Sequence, residues 1–507
     1  MKLYRLFVLA ALAAYPVQSC ASQSSSNGGP FGGSSGAPGS SGSSGSSGSN
    51  GSSGSSGSSG AGGSSGGSVD DAGLSDATIQ GDAPSGSNCA PLETTQTSYV
   101  SMAAPGLAQA VAFDRTENDP VPSDAGTTPA GWNFYNFPGA MCRDGSPTGL
   151  YVRYGSVNKL MIYMEGGGVC ISTHFCDHNP PNMATVFPGG SLNGESFAGS
   201  LLTQPGLQAP YTTGIFDTTM GTANPFYNWN QIYIPYCTGD AHVGTNPNGS
   251  TPNELGIGTP ITQHFVGALN MQQFVARIVA TFKTVDQVVL TGSSAGGLGA
   301  GLNYGLVQDS FGSVPVTVID DSFPPFVGTE DITPCLQNLA NGLWQLTGAL
   351  PSDCAECTDF DAGGFVNIVP YWLQKYPNAH LGLVSSIHDQ IIRLFLAAGQ
   401  NNCTDTDPNL LSGLGLQGGD VPSFDGGQYD NGLTALRSTY LCTGRVASYF
   451  IGDADPDASD SNGTIDTLHE HIFRARFYDQ LAGPGQPSLA QWMTDVVNGT
   501  NLAQIGP

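Results

Sequence analysis

Short runs of apolar and β-branched residues recur at 150–154, 159–165, 231–237, 287–291, 314–320 and 381–386, most of them followed closely by Gly or Asp. Runs this short with so few polar positions read as strands buried on both faces. Between two of them the period changes. Val266, Leu269, Phe274, Ile278, Val279 and Phe282 fall at helical spacing within 265–282, and a second helix is expected over about 297–308. Strands alternating with helices predict an α/β fold, a mainly parallel sheet covered by helices on both faces.

The run at 287–291 leads straight into Gly292-Ser293-Ser294-Ala295-Gly296, which fits the G-x-S-x-G turn that exposes a nucleophilic serine between strand and helix. A serine hydroxyl becomes reactive when a base takes its proton, an acid orients that base, and amide donors meet the oxyanion. On an α/β-hydrolase-like fold one donor is the N–H after the nucleophile, here Ala295. The other comes from a Gly-rich loop after an early strand, and Gly166-Gly167-Gly168 follows 159–165. The acid is expected past a late strand. Asp389 follows 381–386, with Asp320 and Asp321 as runners-up at the end of the preceding strand. Four histidines follow Ser294: His380, His388, His469 and His471. A base from a loop near the C-terminus points to His469 or His471, and periodicity does not choose between them.

The pattern fails ahead of the folded part. Lys2 and Arg5, an apolar stretch from Leu6 to Ala14, and Val17-Gln-Ser-Cys20 read as an export signal over 1–20, with Cys20 placed as in a lipoprotein signal. Residues 21–90 are Ser/Gly-rich, then acidic, and carry too little apolar surface to fold, so a disordered linker is expected before a catalytic domain over 91–507. Lipid anchoring through Cys20 is favoured over simple secretion, because a long tether suits a domain held away from a membrane. That anchor is the only membrane contact expected, and the site is the cell surface or outer membrane. Simple secretion remains the other reading. A monomer is expected.

Charge then narrows the partners. The 507 residues carry a formal charge of −26, with 14 basic against 40 acidic residues. Binding of nucleic acid through phosphates is excluded on that balance, and polyanionic substrates are repelled within a Debye length. Apart from Cys20 there are ten cysteines, consistent with five bridges after export. Cys354-Ala-Glu-Cys357 has CxxC spacing but lacks a second ligand pair, so a structural disulfide is expected over zinc.

Five motifs fall in order: Cys142-Arg-Asp-Gly-Ser-Pro-Thr-Gly149, Glu165-Gly-Gly-Gly168 with Cys170 and Cys176, Asn224-Pro-Phe-Tyr-Asn-Trp-Asn230, Pro235-Tyr-Cys237 and Gly292-Ser-Ser-Ala-Gly-Gly297. Together they resemble the pectin acetylesterase/Notum family of extracellular serine esterases, closely over about 141–326. The resemblance implies an α/β-hydrolase-like fold and a Ser-Asp-His triad. On it, Ser294 is the nucleophile, Asp389 the acid and His469 the base, with Gly167, Gly168 and Ala295 as oxyanion donors. It also implies the bridges Cys142–Cys237 and Cys170–Cys176. Val169 stands where plant-type members carry Trp.

The region before His469 is acidic. Asp453, Asp455, Asp457, Asp460, Asn462 and Asp466 echo part of an EF-hand loop without its full ligand spacing. No cofactor is expected; a calcium ion held there would order the loop bearing His469. The expected function is removal of O-acetyl or other short acyl groups from an extracellular polysaccharide. A lipase, polyester hydrolase or protein deacylase on the same fold is the alternative, and a non-catalytic surface binding protein ranks below these.

Overall fold

The computed structural model describes residues 96–119, 130–172, 175–176, 179–183, 211–251, 261–400, 402–403, 424–440, 443–452, 469–479, 482–483 and 485–507. The export signal with Cys20, the linker to residue 90, Cys89, Cys442 and the acidic loop 453–466 lie outside the described residues.

The strands are β1 (Asn133–Met141), β2 (Pro147–Arg153), β3 (Lys159–Met164), β4 (Asn230–Ile234), β5 (Asn246–Thr251), β6 (Ile261–Phe265), β7 (Gln287–Ser293), β8 (Val316–Asp321), β9 (Leu381–Ser386), β10 (Val446–Ile451) and β11 (Gln504–Ile505). The α-helices longer than one turn are α1 (Gly267–Thr281), α2 (Ala295–Phe311), α3 (Pro334–Trp344), α4 (Ile368–Lys375), α5 (Gln390–Ala397), α6 (Gly426–Tyr440) and α7 (Leu489–Asn498). Nine strands form one sheet in the order β1-β2-β4-β3-β7-β8-β9-β10-β11, and β5 and β6 form a separate antiparallel hairpin. Every pairing from β4 through β11 is parallel, whereas β2 runs antiparallel to both β1 and β4. This is the expected α/β architecture, with an antiparallel pair added at one edge.

Alternation explains the burial. In β3, Leu160, Ile162 and Met164 face one core, while Met161 and Tyr163 face the other. In β7, Val288 and Leu290 join the first core and Val289 the second. A strand covered on both faces needs apolar residues at every position, so the sequence signal is a continuous run. Helices α1 and α2 supply the first core and α7 the second. Phe326, Trp344 and Trp372 are buried in the first core, and Phe323 packs on its edge.

Four disulfides are described: Cys142–Cys237, Cys170–Cys176, Cys335–Cys403 and Cys354–Cys357. The first two are those the family resemblance implied. The CxxC pair is a disulfide. No helix among the described residues is long and apolar enough to cross a membrane.

The parallel register aligns the strand ends. Met164 pairs with Gly292, Ser293 with Asp321, and Ser386 with Ile451. The segments leaving β3, β7, β8 and β9 therefore emerge along one edge, where ligand sites of open α/β sheets gather.

Candidate active site

Ser294 stands between the end of β7 and the first residue of α2, with φ 58° and ψ −124°. A non-glycine residue held there costs on the order of 1–3 kcal/mol. The turn is tight enough to dictate its flanks. A Cβ on Gly292 would lie 2.3 Å from the Gly296 carbonyl oxygen, and one on Gly296 would lie 2.0 Å from that of Met164. The Ser294 N–H donates to the Asp321 carbonyl (2.7 Å), and the residue is 3% exposed.

The glycine loop follows β3 directly. Gly167 and Gly168 have φ of 145° and 74°, conformations that L-residues with side chains rarely adopt. Asn179 Nδ2 donates to the Gly167 carbonyl (2.8 Å), fixing the loop's orientation. Buried Arg143 in turn donates to the carbonyls of Asn179 (2.6 Å) and Cys176 (2.8 Å) and to Gln263 Oε1 (2.5 Å). Among the described residues, the amides of Gly167, Gly168 and Ala295 donate no hydrogen bond. Ala295 opens α2, so its N–H also carries the positive end of the helix dipole.

The acid and base expected from sequence come together. His469 Nδ1 lies 2.7 Å from Asp389 Oδ2, and both residues are buried. Asp389 caps α5: its Oδ1 accepts from the amides of Ile391 and Ile392, each at 2.9 Å. The two oxygens thus have separate tasks. Burial by itself would lower the His469 pKa, but the Asp389 charge and hydrogen bond, together with the charges of Glu470 and Asp321, offset this and hold it above the ordinary value. The His469 segment also approaches the serine. The position a Gly166 Cβ would occupy lies 2.7 Å from Glu470 Oε1 and 2.9 Å from Ser294 Cβ.

The runners-up sit elsewhere. Asp320 Oδ1 accepts from Phe323 N, the Asp321 carboxylate accepts from the backbone of 471 and 472, and among the described residues neither bonds to an imidazole. His471 presents its amide to Asp321 where His469 presents its ring to Asp389. His380 precedes β9, at the end of the sheet away from Ser294. His388 is only half-buried and lies beside Asp389 in the chain. A cavity of about 40 Å³ lies between α2, α4, β8 and β9, lined by residues such as Leu298, Phe323 and Trp372; neither Ser294 nor His469 lines it. The described residues hold no cluster of His, Cys, Asp and Glu arranged for a metal.

Sequence reasoning missed Arg143, Asn179, Glu165 and Glu470. For Glu165 a signal existed, since an acid ending an apolar strand directly before glycines is out of place in a core. Its carboxylate accepts from Tyr236 N (2.9 Å), yet burial pushes its pKa up to about 8. A carboxyl with a raised pKa in the folded state contributes stability that is complete below its unfolded value of 4.5. That contribution declines as pH rises and is lost above about 8. Buried His242 works the other way: its pKa falls to about 4, so its contribution is complete above 6.5 and lost as pH falls through about 4. Glu165→Gln keeps an acceptor for Tyr236 N and removes the ionisation. Its melting temperature, followed by circular dichroism, is expected to fall less between pH 5 and 8 than that of the parent, with the acid-side fall unchanged.

The pectinacetylesterase family model matches residues 133–406. Among curated proteins, the chain is 28% identical to palmitoleoyl-protein carboxylesterase notum1' of Xenopus laevis over 172 residues, covering 33% of this chain and 30% of that protein. It is 26% identical to palmitoleoyl-protein carboxylesterase NOTUM of Drosophila melanogaster over 230 residues, 42% of this chain and 31% of that protein. It is 28% identical to pectin acetylesterase 7 of Arabidopsis thaliana over 166 residues, 32% of this chain and 36% of that protein. The matched stretches thus span about a third of each of these relatives. A solved structure of the Wnt deacylase Notum from Drosophila aligns with 73% of this chain and 95% of its own, at 20% identity and a TM-score of 0.45. With its family model running through more than half of the 507 residues, from β1 past α5, the chain belongs to the pectinacetylesterase family.

Proposed function

We propose that the protein is a carboxylic ester hydrolase that removes short acyl groups, foremost O-acetyl, from an extracellular polysaccharide. The observation that carries the reading is the 2.7 Å contact between His469 Nδ1 and Asp389 Oδ2, on the same sheet edge as the strained Ser294. Family membership supports the reaction class.

In this mechanism His469 Nε2 takes the Ser294 proton as Oγ attacks the ester carbonyl. Asp389 holds the imidazole with Nδ1 protonated and stabilises the imidazolium. The tetrahedral oxyanion is met by the amides of Gly167, Gly168 and Ala295, each such donor lowering the barrier by on the order of 3 kcal/mol. His469 returns the proton to the departing alcohol, leaving an acyl-Ser294 ester. Water, deprotonated by the same imidazole, then attacks that ester and releases the acid.

A second reading is removal of a long acyl chain from a protein. It is supported by the palmitoleoyl-protein carboxylesterases among the relatives. Chain length separates the two. On the first reading, kcat/KM falls steadily from acetyl through octanoyl to palmitoyl p-nitrophenyl esters, and free acetate accumulates from acetylated polysaccharides. A maximum at long chains with no acetate release would reverse the order of preference. The strong negative charge favours acetylated neutral polymers over free polygalacturonate at low salt. Export to the cell surface or medium, with Cys20 as a lipid anchor, fits such a substrate.

A further inference from the structure

Asp321 ends β8 beside Ser293 in register and is fully buried. Its Oδ2 accepts from Ser293 Oγ (2.8 Å), His471 N (2.7 Å) and Ile472 N (3.0 Å). Its Oδ1 accepts from Ser322 Oγ (2.9 Å), whose oxygen accepts in turn from Glu470 N (2.8 Å). Its carbonyl receives the Ser294 N–H. One residue therefore holds the backbone of the elbow and, directly or through Ser322, three successive amides after His469. The first of these amides is that of Glu470 itself, whose φ of 61° turns the chain sharply just beyond the imidazole.

A buried carboxylate with no cationic partner in contact is costly, and it persists only where donors satisfy it. Here the donors come from Ser293 and Ser322 near the elbow and from the amides of 471 and 472, which lie about 150 residues further along the chain than Asp321. Deleting the carboxylate leaves buried amides at 471 and 472 unsatisfied, so the loop shifts rather than staying in place with a gap.

We propose that Asp321 is a positioning residue for the ester hydrolysis, fixing the His469 loop against the Ser294 elbow through backbone amides, without contacting substrate or imidazole. This rests on the assignment of Ser294 and His469 as nucleophile and base. A displacement of about 1 Å between a nucleophile and its base lowers the rate on the order of 100-fold while leaving substrate contacts intact. Asp389, Glu470 and, least of the three, Asp321 all favour protonated His469, and although burial raises the pKa of Asp321 itself, removing its charge moves the base's titration toward acid.

The test compares Asp321→Asn, Ser322→Ala and Ser294→Ala with the parent, on p-nitrophenyl acetate from pH 5 to 9. Asp321→Asn is expected to lose roughly 10- to 100-fold in kcat, with KM within about twofold, and to shift the acid limb of kcat/KM to lower pH. Ser322→Ala, which keeps the carboxylate and removes the bridge to Glu470 N, is expected to lose less kcat and to leave the limb in place. It provides the reading if Asp321→Asn does not fold. A folded Asp321→Asn variant with parental kcat and an unmoved limb overturns the proposal, as does a parental kcat for Ser322→Ala when Asp321→Asn is unfolded. If Ser294→Ala alone is inactive, such a result leaves the nucleophile assignment standing. Activity in Ser294→Ala would sink that assignment instead.

Discussion

Replacing Ser294 with Ala is expected to remove ester hydrolysis by a factor on the order of 10⁵ or more while the protein stays folded. The loss is large because the acyl-enzyme cannot form, and the oxyanion donors are left to act on water alone. The fold tolerates the change, since no hydrogen bond of the Ser294 backbone depends on the hydroxyl: its N–H serves Asp321 and its carbonyl receives Leu298 N. Ala also relieves nothing, as the left-handed conformation at 294 is imposed by the flanking strand and helix. Melting temperature and near-ultraviolet dichroism should match the parent, and a serine-directed phosphonate that adds one equivalent to the parent should add none to the variant. A folded variant with near-normal turnover would refute the assignment.

Asp389→Asn is the second large effect. Its two oxygens serve different partners, so an amide can satisfy one but not both. With its oxygen toward Ile391 N and Ile392 N, the cap of α5 survives and an NH₂ faces His469 Nδ1, which selects the tautomer unable to accept the serine proton. Turned over, it keeps the histidine and opposes NH₂ to two amides, forfeiting a cap worth about 1 kcal/mol. The first arrangement is favoured, and kcat is expected to fall on the order of 10⁴-fold with little change in melting temperature. A drop of less than tenfold would show that another group orients the base.

The strands around the elbow were legible because both of their faces are covered: β3, β7, β8 and β9 are continuous apolar runs with only small shifts at their ends. Strand β1 was not. Pro138 and Gly139 interrupt it and its register slips between Phe137 and Met141, as an edge strand allows. The β5–β6 hairpin was missed because Asn246-Pro-Asn-Gly-Ser-Thr251 has turn composition and only partial burial. At the site, glycine spacing announced the loop and elbow, since backbone approach excludes Cβ whatever the surroundings. The choice between His469 and His471 was not encoded locally. It depends on which element each meets across 80 and 150 residues of chain, ring against Asp389 for one and amide against Asp321 for the other. Arg143 and Asn179 were invisible for the same reason: they support the Gly167 carbonyl only after three segments converge.

Two of the cystine bridges lie near the glycine loop: Cys170–Cys176 begins two residues after Gly168, and Cys142–Cys237 joins the turn before β2 to the segment after β4, where Tyr236 comes within 3.1 Å of the position a Gly167 Cβ would take. Where glutathione keeps thiols reduced, those four sulfurs stay apart, and the glycine peptides proposed to receive developing negative charge lose two covalent constraints nearby. On the proposed mechanism, polypeptide kept reduced is expected to hydrolyse esters more slowly than the oxidised protein, so activity would follow export into an oxidising compartment.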